Sequence, residues 1–415
     1  MDRHLIRKLR IDEARLWSSL MTMAQIGATS HGGCNRQALT DEDKTGRDLF
    51  VQWAQAAGCT VTVDAVGNIF AARKGVDPNA DPVLMGSHLD TQATGGRFDG
   101  VYGVMAGLEV MRVLATHGVD LKRTVEVASW TNEEGCRFAP AMLGSGVVAG
   151  AYTQDFAYER IDKSGRSFRE ELERIGYRGT APARARPFRA MFEAHIEQGP
   201  ILENLGATIG VVAGIQGAYW FDVTLEGLAC HAGPTPMEMR RDPWRAATTI
   251  IESAFAIAKT KAPWGRATIG DLKVSPGARN TVPERLVVAV DLRHPEPDVL
   301  EEMVAMFREQ VAQTSARTNI DARIEQIWHM PATRFDTELV GVVDRAAQDL
   351  GFNRVPIVSG AGHDSLHTAQ FAPTAMIFVP CAGGLSHNEA ESATSADLAA
   401  GANVLLQSVL CVANN

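Results

Sequence analysis

Several imidazoles and carboxylates in this chain are spaced in a way that suits a divalent metal ion. His88, Asp90 and Asp99 fall in the stretch Leu84 to Val104, LMGSHLDTQATGGRFDGVYGV. It opens as an apolar, strand-like run, continues through a glycine-rich loop, and ends where Val104 to Val110 reads as the start of a helix. Imidazole nitrogen and carboxylate oxygen together suit zinc and similar ions. A lone H-x-D is more often a hydrogen-bonded surface pair, so the weight rests on what accompanies it. Glu133 and Glu134 follow the apolar run Thr124 to Trp130. Tandem acids at the end of a buried strand are costly unless something positive meets them. The first turn of a helix, where the dipole favours Glu, accounts for one of them better than for two. A division of labour accounts for both: one carboxylate binds metal while its neighbour moves protons. His195 ends the run Met191 to Ile196, and His387 lies in the loop after Ala375 to Pro380. His88, Asp99, Glu133, Glu134, His195 and His387 thus all sit at or just beyond expected strand ends. That is the pattern of a two-metal site bridged by a carboxylate.

The elements that must position these residues can be read from periodicity. Helical patterning runs from Ile11 to about Ile26. Thr40, with Asp43 three residues on, reads as a capping box for a helix reaching Ala57, with Gly58 as its stop. Cys59–Val63, Asn68–Arg73, Val83–Gly86 and Thr124–Trp130 alternate or run apolar like strands. The rhythm predicts an α/β domain with a largely parallel sheet, whose strand-end loops carry the chemistry. From about Gly214 to His329 the pattern changes to β-α-β-β-α-β: strands at Tyr219–Leu225, Arg266–Val274, Leu286–Leu292 and Ala322–Trp328, helices at Pro243–Lys259 and Pro297–Thr314. That order reads as an inserted ferredoxin-like layer. The expected division is a catalytic domain over 1–213 and 330–415, interrupted by an inserted domain over 214–329.

Length and charge narrow the function classes. A chain of 415 residues exceeds what one core usually fills. Apolar content of 45% and charged content of 21% are those of an ordinary globular protein. A net charge of −9 argues against a general nucleic-acid binder and against anionic membranes. The basic run Arg3 to Arg10, broken by Leu5, Ile6 and Leu9, reads as the exposed face of a first helix. No apolar segment approaches the ~20 residues that span a bilayer, and no signal-peptide pattern opens the chain. Cys34, Cys59, Cys136, Cys230, Cys381 and Cys411 are scattered without C-x-x-C pairing, which points to free thiols and a cytoplasmic setting.

GSHLDTQATGGRFDGVYGV, NEEGCRF, EAHIEQGPILE, HAGPTPMEMRRDP, PGARNTVP, DLRHP, SGAGHDS and LSHNEAE, in this order, resemble the motif series of the hydantoinase/carbamoylase amidases. These belong to the dinuclear-zinc exopeptidase superfamily, M20. The resemblance implies a zinc-exopeptidase-like catalytic domain and an inserted lid and dimerisation domain, hence a homodimer through 214–329. It implies two divalent ions per subunit, zinc first, with manganese, cobalt and nickel as other occupants. His88, Asp99 and His195 would hold one; Asp99, Glu134 and His387 the other. Glu133 would be the general base, and Asp90 the partner that orients His88. Implied substrates are small N-carbamoyl-L-amino acids or N-carbamoyl-β-alanine, cleaved to amino acid, CO2 and ammonia. Allantoate hydrolysis is the near alternative, and an M20-type aminopeptidase or dipeptidase the remoter one.

The resemblance also marks Gln198, His231, Asn280, Arg293 and Gly360 as substrate contacts, with His231 assisting catalysis. Some have plainer alternatives. His231 could cap the turn before Gly233-Pro234, Asn280 could serve the turn after Pro276-Gly277, and Arg293 could pair with Glu296. The Ser-Gly-Ala-Gly run before His363 and Asp364 permits close approach of a ligand to the main chain, or is simply a sharp turn.

Overall fold

The computed structural model describes residues 8–414, so most of the basic run Arg3 to Arg10 lies outside the described residues. The first described helix, Glu13–Ala24, is shorter than the apolar pattern, because Asp12 caps it by accepting from the Arg15 N–H. The helix Asp41–Ala56 begins as expected at Thr40, whose hydroxyl accepts from the Asp43 N–H. The reciprocal bond goes one residue further back, to the Leu39 N–H, and Asp43 also pairs with Arg47.

The chain divides into two compact units: the chain up to Gly214 together with everything from Arg334, and Ile215–Thr333. Unit one begins with β1 (Thr60–Val63), β2 (Ile69–Arg73), β3 (Val83–His88), β4 (Val125–Trp130), β5 (Ala190–Ile196) and β6 (Ile209–Ile215). Unit two supplies β7 (Gly217–Glu226), β8 (Cys230–His231), β9 (Arg266–Ser275), β10 (Thr281–Val282), β11 (Arg285–His294) and β12 (Asp321–Met330). Then β13 (Thr333–Arg334), β14 (Arg354–Ser359) and β15 (Thr374–Val379) complete the first sheet.

That sheet runs β1-β2-β4-β3-β5-β15-β6-β13, with β14 paired to β6. Its centre, β4-β3-β5-β15, is parallel, while β2 and β6 join antiparallel on either side. The four central strands are buried along their whole length, as parallel strands covered on both faces must be. Helices Val101–Thr116, Thr337–Asp349 and Ser395–Ala413 pack onto them in one apolar core. The parallel register brings the carboxyl ends to one edge: His88 is level with Trp130, and His195 with Phe378.

Helix Ser395–Ala413 corrects one expectation. At 19 residues and mean hydropathy 1.5 it is long and apolar enough to cross a membrane, but 72% of that window is buried in this core. Its apolarity serves packing on all sides.

Unit two is a four-stranded antiparallel sheet in the order β12-β7-β11-β9. With helices Trp244–Thr260 and Pro297–Thr318 this is the ferredoxin-like β-α-β-β-α-β arrangement. Alternation dictates its core. Tyr219, Phe221, Val223 and Leu225 of β7, with Leu286, Val288, Val290 and Leu292 of β11, face the helices. Their even-odd complements, Trp220 and Asp291 among them, face away.

Candidate metal centre

The sharpest constraint on the site is a glycine. Gly100, at φ +66°, follows Asp99 and precedes the helix Val101–Thr116; a Cβ there would lie 2.2 Å from the His88 ring. Only glycine lets the loop carry Asp99 so close to His88.

His88, at the end of β3, is buried, and its Nδ1 sits 2.9 Å from the Asp90 carbonyl oxygen. His195, near the end of β5, has its Nδ1 2.9 Å from the Ile196 carbonyl oxygen. A carbonyl on Nδ1 fixes the proton there and turns Nε2 outward as the donor atom. Both Nε2 atoms meet the same oxygen: Asp99 Oδ1 is 3.2 Å from His195 and 3.7 Å from His88. The other oxygen, Oδ2, lies 3.5 Å from His387 Nε2, which is 3.3 Å from Glu134 Oε2. The six expected residues thus converge as two donor groups sharing Asp99, with Glu133 Oε2 3.4 Å from His88 Nε2.

The donor set fits a metal ion on two counts. Zn–N and Zn–O bonds near 2.0–2.1 Å place neighbouring tetrahedral ligands about 3.3 Å apart, which matches these separations. The charge balance also calls for a cation. Against the effect of burial, Asp99 lifts the His195 imidazole to about 9, and Glu134 does the same for His387. Asp99, for all its burial, is held well below the usual carboxylate range by His195, His88 and His387. Burial, then the charges of Asp364, Glu134, Asp90 and Asp99, pushes Glu133 well above that range.

Asp90 meets His88 through its main chain. Its carbonyl, and not its carboxylate, meets His88; the carboxylate accepts from the Glu133 and Glu134 N–H groups, each at 3.2 Å. It therefore orients the glutamate pair as well. Gln198, expected at the substrate, donates from Nε2 to Asp99 Oδ2 at 2.9 Å, while its buried Oε1 lacks a partner. Asn132, Gln198 and His387 all adopt positive φ, backbone strain of the kind that concentrates at functional sites.

In unit two, His231 and Asn280 are brought together: the Ala232 N–H donates to the Asn280 carbonyl beside the β8–β10 ladder. His231 Nδ1 accepts from the Gly233 N–H, so the plainer turn-capping role is also present. Arg293 lies on Asp291 of its own strand. Gly360 lies in the loop after β14, on the approach to His363.

Two contributors escaped the sequence reading. Glu391, buried, accepts from the Phe98 and Asp99 N–H groups through Oε1; the Ser386 hydroxyl lies between the two carboxylates, 2.7 Å from Asp99 Oδ2 and 3.1 Å from Glu391 Oε2. Gly96 makes room for that carboxylate, since a Cβ there would lie 2.0 Å from it. Gln92 holds Glu134 through its backbone N–H and its side-chain amide. The motif LSHNEAE contained Glu391 without revealing its reach. A third group, Glu193, His195 and His363, is close enough to hold an ion. However, the Glu193 oxygens already accept from Ser87 and Ser365, and His363 Nε2 is bonded to Ser359. It is a buried polar brace for β5.

Residues 84–410 match the peptidase family M20/M25/M40. An N-carbamoyl-L-amino-acid amidohydrolase of Rhizobium meliloti is 47% identical over 97% of this chain and 96% of its own. An allantoate amidohydrolase of Bacillus subtilis is 34% identical over 92% and 93%. The crystal structure of a hydantoinase/carbamoylase family amidase from Burkholderia multivorans superposes with a TM-score of 0.94 at 51% identity, covering 98% of this chain and 99% of that one. The M20 family is metal-dependent, and among the described residues the two groups that share Asp99 are placed to hold an ion. The chain belongs to the M20/M25/M40 peptidase family, among its hydantoinase/carbamoylase amidases.

Proposed function

We propose that this protein hydrolyses the ureido C–N bond of N-carbamoyl-amino acids, N-carbamoyl-L-amino acids first, giving the amino acid, CO2 and ammonia. The observation that carries the reading is Asp99 shared between two donor groups, with Glu133 alongside. The 47% identity to an N-carbamoyl-L-amino-acid amidohydrolase, against 34% to an allantoate amidohydrolase, supports the substrate class.

In this reading His88, Asp99 and His195 hold one divalent ion, and Asp99, Glu134 and His387 a second, zinc being the natural occupant of such ligands. Ions bound there polarise a carbonyl and lower the pKa of water toward neutrality. Glu133 takes the proton of the attacking water at its carboxylate and then delivers it to the leaving nitrogen. Asp90 keeps Glu133 and Glu134 in register through their amides. His231 steadies the developing oxyanion, with Gln198, Asn280 and Gly360 as further substrate contacts. The resulting carbamate decomposes. Ammonia release from a panel of N-carbamoyl-L-amino acids, N-carbamoyl-β-alanine and allantoate, each with added zinc or manganese, tests the reading. Allantoate turning over fastest would overturn the substrate assignment.

Arg293 holds the substrate carboxylate, for which its planar fork is suited and a lysine is not. Arg293→Lys is expected to keep fold and metal but lower kcat/KM by about one to two powers of ten, the scale of a charge-assisted bond of roughly 1.5–3 kcal/mol. A substrate amide, lacking the carboxylate charge, should be a poor substrate for wild type and lose little more with the variant. Equal loss on both makes the arginine structural.

Unit two acts as the lid and dimerisation unit. Its sheet ends on β9, whose Leu272 and Val274 are exposed, and an open strand edge invites pairing with a second chain. A homodimer is expected by light scattering at micromolar concentration; a monomer there refutes it. All six cysteines are unpaired, which supports a reducing, cytoplasmic setting.

A further inference from the structure

From Ala382 to Ala390, in the loop between β15 and the helix Ser395–Ala413, no residue is buried. His387 sits in this loop, exposed and at positive φ. A surface loop without a buried anchor of its own is held chiefly by its polar contacts. The other donors have firmer support. His88 and His195 belong to the buried strands β3 and β5, and Asp99 leads through Gly100 directly into the helix Val101–Thr116. What keeps His387 Nε2 at 3.5 Å from Asp99 Oδ2 therefore lies outside the packing of its own loop.

Glu391 follows that exposed run and is 1% exposed, its side chain reaching from the His387 loop to the loop that carries Asp99. Oε1 accepts from the Phe98 N–H at 2.9 Å and from the Asp99 N–H at 3.1 Å. Oε2 lies 3.1 Å from the hydroxyl of Ser386, the residue before His387. That hydroxyl has one proton for two acceptors, Glu391 Oε2 and Asp99 Oδ2. Once Asp99 Oδ2 is given to an ion, the proton turns to Glu391, and the hold on the His387 loop is kept. Other holds on this loop include the Gly383 N–H on Glu203 at 2.8 Å and Gln198 Nε2, 3.3 Å from Ser386 Oγ. Glu391 differs from these in gripping the main chain of Asp99 itself.

We infer that Glu391 is a positioning residue for one ion of the pair: by tying the His387 loop to the Asp99 loop it sets the affinity of the group Asp99, Glu134 and His387. The group His88, Asp99 and His195, carried on strand ends, does not depend on it. The inference rests on the two-ion reading given above. Three substitutions separate the anchor from its charge. Glu391→Ala removes both. Glu391→Gln removes the charge and keeps an oxygen for the two N–H groups. Gly96→Ala keeps the charge and displaces the anchor, because a Cβ there would lie 2.0 Å from the Glu391 carboxyl carbon. The φ of Gly96 is outside the left-handed region, so alanine suits the backbone.

The test is titration of metal-stripped protein with zinc against a competing chromogenic chelator, with thermal unfolding of the stripped protein as a control. Glu134→Gln marks which of the two ions belongs to the His387 group. Glu391→Ala and Gly96→Ala should each weaken that ion about 10- to 100-fold, the usual cost of losing a group that orients a ligand. The other ion should change by less than about threefold, the worth of a weak hydrogen bond. Glu391→Gln should recover most of the loss. Both ions weakened equally, or neither weakened, overturns the inference; a merely structural role would lower the unfolding temperature without separating the ions. Glu391→Gln as damaging as Glu391→Ala, with Gly96→Ala harmless, makes the charge the cause and also overturns it. Should Glu391→Ala fail to fold, Gly96→Ala decides. If wild type takes up only one ion, the two-ion reading falls and takes the inference with it. Two ions in wild type, with no separation in the variants, removes the positioning role alone.

Discussion

Replacing Glu133 by Gln lowers turnover by about 10²–10⁴-fold while bound metal stays near the wild-type level. The expectation follows from where the two glutamates point. Glu133 approaches His88 with one oxygen, and its N–H is fixed on Asp90. Gln keeps that shape and can still hydrogen-bond, but it takes up no proton from a water. Glu134 faces His387 at 3.3 Å and is held by Gln92 on both oxygens, so it is aimed at the second donor group. Glu134→Gln should therefore weaken one of the two ions as well as the rate. Metal analysis beside kinetics reads both variants. Equal loss of metal in the two would show that the division of labour is wrong.

Asp99→Ala is expected to remove both ions together. One oxygen of Asp99 faces His88 and His195 and the other faces His387, and no other described residue serves both groups. Activity should fall about a thousandfold or more, since such ions contribute several kcal/mol of transition-state stabilisation. Titration of metal-stripped protein with zinc or manganese checks this: wild type should take two ions per chain and the variant neither at comparable affinity. One ion retained at full affinity by Asp99→Ala overturns the shared-carboxylate assignment.

The residues that converge at the metal centre were legible because each ends a buried parallel strand or opens the loop after it. Parallel register then guarantees a common edge. What could not be read was reach across the chain. Glu391 meets the Asp99 N–H from 292 residues away, and no local periodicity encodes such a contact. Nor does sequence say which group of a residue acts: it is the Asp90 carbonyl, and not its carboxylate, that meets His88. The pair Asp291 and Arg293 was legible in principle, since alternation puts positions two apart on one face. Short pieces such as β8, β10 and β13, and the helix Leu143–Ala149, carry too few residues for a periodic signal. The helix Ser395–Ala413 shows the limit of reading by hydropathy alone, because total burial and membrane burial select the same side chains.

The tether from Glu391 to the Asp99 loop also bears on how the protein is made. His88, Asp99, Glu133, Glu134 and His195 leave the ribosome first, and His387 follows His195 only 192 residues later. At the usual pace of translation that interval lasts roughly 10 to 40 s. Throughout it the nascent chain owns one donor group and lacks both the closing histidine of the other and the carboxylate that anchors the loop between them. Assembly of both donor groups is thereby deferred until the segment bearing His387 and Glu391 has been synthesised, and a chain that stops between His195 and His387 carries only one of them complete.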